Sequence, residues 1–119
     1  ALKTILRCIQ LIKDDEVSIG VFPEGGIKEE GKLAHFRSGV FKIAQKAEVP
    51  IVVCTLKNTA DVLPNFFKLK PTDVQMDLVG VIPAEELKGR TAVDIGEQVY
   101  EMMIVGLGES FRPDSEQTT

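Results

Sequence analysis

The stretch Val17-Ser18-Ile19-Gly20-Val21-Phe22-Pro23 decides the fold expected of this chain. It is short, rich in β-branched residues and mostly apolar, which suits a buried strand. Pro23 has no N–H to give to a ladder and ends it. A second run of the same kind, Val49 to Leu56, carries Pro50 at its start, a position that strands tolerate. Between the two, Phe36, Val40, Phe41, Ile43 and Ala44 fall on one side of a helix over about 36–47. Strand, helix, strand, with both strands apolar on both faces, predicts a βαβ unit. The fold class expected is therefore α/β, with a mostly parallel sheet flanked by helices and a right-handed crossover. The loop after Pro23 would then lie at the carboxyl edge of the first strand, where open α/β sheets collect ligands.

Outward from this unit, Leu2, Ile5, Leu6, Ile9 and Ile12 recur at spacings of three and four and predict a helix over 2–13. Residues 58–73, with Pro64 and Pro71, read as irregular, and the aromatic pair Phe66-Phe67 there reads as cover for the core. Beside Lys68 and Lys70, the same pair is also readable as a contact with an anionic membrane surface. Val74 to Ile82 predicts a third strand, stopped by Pro83. Residues 91–107 predict a last helix, with Thr91 and Asp94 spaced as a cap and with Met102 and Met103 in the core. The polar run 112–119 is expected to be a flexible tail behind a domain spanning 1–111.

Composition sets the outer bounds. The chain has 119 residues, 44% hydrophobic and 27% charged, which suits one globular domain with a modest core. A net charge of −4 gives nucleic acid no general attraction, so no nucleic-acid partner is expected. Cys8 and Cys54 follow no ligand spacing and His35 is the single histidine, so neither a metal nor a cofactor is expected. Both thiols read as buried and reduced. Ala1 opens inside an amphipathic pattern with no initiator Met, and the chain is expected to be the C-terminal part of something longer.

Two loops carry candidate chemistry. Gly26-Ile27-Lys28-Glu29-Glu30-Gly31-Lys32 fits the G-x-x-x-x-G-K part of a nucleotide-binding loop. The next residue, Leu33, lacks the hydroxyl that magnesium needs, and Glu29 and Glu30 would repel a phosphate, which counts against that reading. In Phe22-Pro23-Glu24-Gly25-Gly26 a proline stops a strand, a carboxylate projects at its edge and two glycines let backbone turn closely around a ligand. Spacing alone favours a plain turn with a solvated Glu24. Lys28, Lys32, Arg37 and Lys42, with His35, surround the loop as a phosphate-sized basic set, to which a helix N-terminus adds N–H groups. A solvated helix entry is an equal reading of that set. His35 lacks an Asp five residues on, where Val40 stands, and reads as a surface histidine.

Phe22-Pro23-Glu24-Gly25 resembles the third motif, F-P-E-G-T-R-S, of the phospholipid/glycerol acyltransferases. Phe36-Arg37-Ser38-Gly39-Val40-Phe41-Lys42-Ile43-Ala44 resembles the family's F-K-x-G-x-F-x-x-A segment, and Val49-Pro50-Ile51-Val52 its fourth motif, V-P-I-V-P-V. Gly80-Val81-Ile82-Pro83 stands where the family often has a late strand. The resemblance implies transfer of a fatty acyl group from acyl-CoA or acyl-carrier protein to a lysophospholipid acceptor such as lysophosphatidate. It places Glu24, Gly25, Gly26 and Lys28 in the acceptor site and Val49, Pro50 and Ile51 in the fourth motif. It also implies a membrane surface as partner and the cytoplasmic face of a membrane as location. The family's base is a His-x-x-x-x-Asp pair, which residues 1–119 do not contain, so this chain alone is expected to be inactive. Gly26-Ile27-Lys28 replaces Thr-Arg-Ser; Lys28 supplies the charge of the arginine without its bidentate fork. Val53 replaces the second proline of the fourth motif. A phosphate- or nucleotide-binding module and a non-catalytic α/β interaction domain stand as the other readings.

Overall fold

A computed structural model describes residues 2–24, 33, 35–57 and 62–112. Helix α1 (Leu2–Lys13) forms where the apolar periodicity places it. It stops in a tight closing turn, with Asp15 N–H on the Ile12 carbonyl and Glu16 N–H on that of Leu11. The next helix starts later than its pattern suggests. Residues Ser38–Val40 are a 3₁₀ turn, and α2 (Phe41–Ala47) follows. Phe36 lies ahead of the helix and is buried all the same, stacked edge-on against Tyr100 at 5.0 Å. α1 packs on α2.

Strand β1 (Ile51–Lys57) comes next, then α3 (Val62–Phe67), β2 (Gln75–Ile82) and α4 (Ala92–Leu107). α3 falls in a region expected to be irregular. Leu63, Phe66 and Phe67 have helical spacing, and Pro64 falls in the first turn, where its missing N–H costs nothing. The cap expected at Thr91 is present: its hydroxyl accepts from Asp94 N–H at 3.1 Å.

The sheet is where expectation and structure part. Among the described residues it has two strands, β1 and β2, paired antiparallel from Ile51 opposite Ile82 to Lys57 opposite Gln75. Residues 17–22 join no ladder, and the expected parallel pairing and its crossover are not formed. Val17, Val21 and Phe22 are exposed, Phe22 by 78%. β2 follows β1 in sequence and sets seven of its eight residues in antiparallel register, the more stable ladder per residue, while 17–22 has no ladder partner among the described residues.

One face of the sheet is packed and the other is open. Val53 and Thr55 point into the core under α4, which presents Ile95, Val99 and Ile104. Gly106 lets α4 come close here: a Cβ on it would collide with Val79, the residue that the register shift between Val53 and Cys54 leaves without a partner opposite. On the other face Val52, Leu56, Met76, Leu78 and Val81 are all exposed. Phe66 and Phe67 do not cover the core, because α3 stands clear of it with no buried residue. Cys8 and Cys54 are free thiols, half-buried and not fully enclosed. Met102 and Met103 are half-buried and packed against the core.

Candidate functional site

The two family-like blocks meet in space. Phe22, Pro23 and Glu24 from one, and Val49, Pro50 and Ile51 from the other, line one cavity of about 840 Å³. Most of its wall is apolar, contributed by α2, by β1 and by residues 17–22 running past it. Because no ladder joins 17–22 to β1, the gap between them remains open.

Both ends of the loop that follows Glu24 are tied to the body. On the near side, the Pro23 carbonyl accepts from Arg37 N–H at 2.8 Å. This holds Pro23 and Glu24 at the entry to the 3₁₀ turn and α2. On the far side, Leu33 is buried; its N–H donates to the Phe111 carbonyl at 2.7 Å, and its carbonyl accepts from the Tyr100 hydroxyl at 2.9 Å. Gly25, Gly26, Lys28 and Lys32 lie outside the described residues. Glu24 is half-buried, and Arg37 and Lys42 are exposed on the adjoining segment.

The nucleotide-loop reading finds no footing in this geometry. Its signature requires Leu33 to open a helix whose N–H groups face a phosphate. Leu33 is packed in the core with its N–H taken by Phe111, and it and the described residues 35–37 are not helical.

His35 is exposed, as expected of a surface histidine. It lines a separate cleft of about 400 Å³ with Ser38, Glu97, Tyr100 and Glu101, and that cleft shares no lining residue with the larger cavity. Glu101 is held below the usual carboxylate range by its hydrogen bond from Arg112, which also holds Glu109 down.

The structure adds a residue that the motifs did not mark. Thr55 lines the larger cavity, is 1% exposed, and its hydroxyl has no hydrogen-bond partner among the described residues. A buried hydroxyl without a partner costs about 1–3 kcal/mol, so it needs a reason. The signal in the sequence is slight: Thr55 is the one hydroxyl within Ile51-Val52-Val53-Cys54-Thr55-Leu56.

Residues 1–57 match the model of the family described as Acyltransferase. Over 58 residues the chain is 41% identical to a chloroplastic 1-acyl-sn-glycerol-3-phosphate acyltransferase of Brassica napus, covering 49% of this chain and 17% of that protein. It is 38% identical over 58 residues to the chloroplastic enzyme of that name from Arabidopsis thaliana, covering 49% of this chain and 16% of the relative. A 1-acyl-sn-glycerol-3-phosphate acyltransferase of Saccharomyces cerevisiae aligns with 100% of this chain and 41% of its own length at 25% identity. The chain thus spans less than half the length of these curated relatives. No solved structure matches it. The blocks that line the cavity fall within the residues that match the Acyltransferase model, and over those residues the chain is similar to the 1-acyl-sn-glycerol-3-phosphate acyltransferases.

Proposed function

We propose that this chain contributes the acceptor side of an acyltransferase that moves a fatty acyl group from acyl-CoA or acyl-carrier protein to lysophosphatidate or a similar glycerol-phosphate lipid. The observation that carries the reading is the shared cavity: Glu24 of the third-motif block and Val49, Pro50 and Ile51 of the fourth line the same space. Its apolar wall suits an acyl or glycerolipid chain, and the half-buried Glu24 contributes a carboxylate to its lining. In this reading Glu24, with Gly25, Gly26 and Lys28, orients the acceptor through its phosphate and free hydroxyl. A His-x-x-x-x-Asp base, which residues 1–119 lack, takes the hydroxyl proton as that oxygen attacks the thioester carbonyl, and the thiol leaves. Acceptor and product are lipids, so the enzyme works at a membrane, on its cytoplasmic face. The parallel βαβ arrangement belongs to the same reading: residues 17–22 close onto the free edge of β1 across the gap that both now line.

The test is lysophosphatidate acylation by the 119-residue chain and by its reading frame extended upstream, with each thioester donor. Turnover is expected only from a polypeptide that supplies His-x-x-x-x-Asp. There Glu24→Ala should lower kcat/KM by about ten- to a hundredfold, the loss of one charge-assisted contact. Unchanged turnover in that variant would remove Glu24 from the site.

A further inference from the structure

α3 and the turn behind it expose apolar side chains that the rest of the described fold does not use. Leu63, Phe66 and Phe67 share one face of α3, spaced three and four apart, and are 64%, 68% and 74% exposed. The two rings touch edge to face at 5.7 Å and so present one aromatic surface. At the end of β1 nearest α3, Leu56 and Met76 stand opposite each other and are also exposed.

The turn is more telling than the helix. Lys70 N–H donates to the Asn65 carbonyl at 2.8 Å and Leu69 N–H to that of Phe66 at 3.1 Å, the two-bond closure that ends many helices. This closure puts one residue in the left-handed region, usually a glycine. Here it is Leu69, at φ 54° and 92% exposed. A leucine in that conformation costs free energy, and nothing among the described residues repays it by packing. Lys68 and Lys70 flank it. Residues 62–72 carry these two lysines and no acid, in a chain whose net charge is −4. Asp61 precedes this stretch, and Asp73 and Asp77 follow it beyond Pro71.

We propose that α3 and its closing turn are an interfacial anchor for an anionic bilayer. Leu63, Phe66, Phe67 and Leu69 enter the boundary between headgroups and acyl chains, and Lys68 and Lys70 meet the lipid phosphates. Charge complementarity selects this occupant. An apolar tip flanked by two lysines matches an anionic lipid surface, whereas a second copy of the same tip would bring four lysines together. No described helix is long and apolar enough to cross a membrane. The inference stands on the surface of α3 and does not require acyl transfer.

The experiment is co-sedimentation of the 119-residue chain with vesicles of phosphatidylcholine alone and of equimolar phosphatidylcholine and phosphatidylglycerol. Binding is expected to the anionic vesicles and to weaken with salt. Replacing both rings, Phe66→Ser with Phe67→Ser, should lower the partition coefficient by about tenfold or more. Lys68→Glu with Lys70→Glu should remove the preference for anionic vesicles, at about fivefold per lysine. Leu69→Gly separates anchoring from folding: it relieves the left-handed strain, so Tm should hold or rise while vesicle binding falls several-fold. Equal binding to both vesicle types, or equal binding by Leu69→Gly and the parent chain, overturns the inference. So does self-association that disappears with the Phe66/Phe67 pair while vesicle binding persists, since the patch then belongs to a second copy. Vesicle binding without lysophosphatidate turnover in the extended frame would leave the anchor standing and cost only the proposed function.

Discussion

Residues 17–22 and residues 51–57 are made of the same material and meet different fates. Val-Ser-Ile-Gly-Val-Phe and Ile-Val-Val-Cys-Thr-Leu-Lys are both β-branched, apolar runs next to a proline. The second is a strand with two residues buried under α4; the first runs past the same cavity unpaired, its valines and Phe22 in water. Strand propensity is therefore not what separates them. β1 has two things that 17–22 lacks: a ladder partner in antiparallel register and a helix to cover one face. A strand in a sheet is stabilised through its neighbours, and the same run without them stays extended and open.

The comparison is most easily broken with matched isoleucines. Ile82 is fully buried at the end of β2, opposite Ile51. Ile82→Ala should cost about 2–5 kcal/mol in urea denaturation, transfer plus cavity. Ile19→Ala, in the unpaired run, should cost less than about 1 kcal/mol. Equal penalties would show that 17–22 is packed in solution as tightly as the sheet, and would favour the parallel arrangement.

Matched glycines sharpen it further. A Cβ on Gly106 would run into Val79, and one on Gly20 would meet nothing within 4 Å. Gly106→Ala should therefore cost about 1–3 kcal/mol by pushing α4 off the sheet. Gly20→Ala should be neutral or stabilise by about 0.4–1 kcal/mol through the unfolded chain. If Gly20→Ala instead destabilised by as much as Gly106→Ala, the open passage of 17–22 past the cavity would be wrong.

Thr55 tests what fills the gap between the two runs. Thr55→Val keeps the shape and removes a buried hydroxyl that has no partner among the described residues, so the chain alone should gain about 1 kcal/mol. A loss of stability would mean that the hydroxyl has found a partner, for example in residues 17–22.

Most of the helical content was legible because periodicity and caps are local. The five apolar residues of α1 and the Thr91–Asp94 cap of α4 each specify their element without reference to the rest of the chain. The family-like blocks were legible too, and they come to line one cavity. Pairing was not. Which segments pair with Ile51–Lys57, and in which direction, depends on the rest of the chain, and no single run encodes that. α3 escaped notice because Pro64 masks a six-residue helix whose apolar face turns outward, against the assumption that aromatic residues cover cores. Thr55 escaped because one hydroxyl in an apolar run carries no pattern at all.

The smallest effect concerns Arg112, which the sequence places at the start of the tail. Its guanidinium donates to both carboxylate oxygens of Glu101 at 2.8 Å and to Glu109 at 2.9 Å, tying the chain end to α4. The hydrogen bonds from Arg112 hold both glutamates below the usual carboxylate range, and the same bonds raise the arginine further above its ordinary value. A carboxyl whose folded pKa is depressed contributes stability that is complete above its unfolded pKa and fades as pH falls through the folded one. Both glutamates are exposed, so water and salt screen most of the gain. Arg112→Gln should therefore leave the steep acid loss from the rest of the molecule in place and lower Tm by only a degree or two at neutral pH, a typical exposed-pair effect. The gap between variant and parent should close as pH drops below the ordinary glutamate range, and at high salt. A gap that persists at acid pH would mean that Arg112 acts by packing its stem against the body, where no proton can remove it.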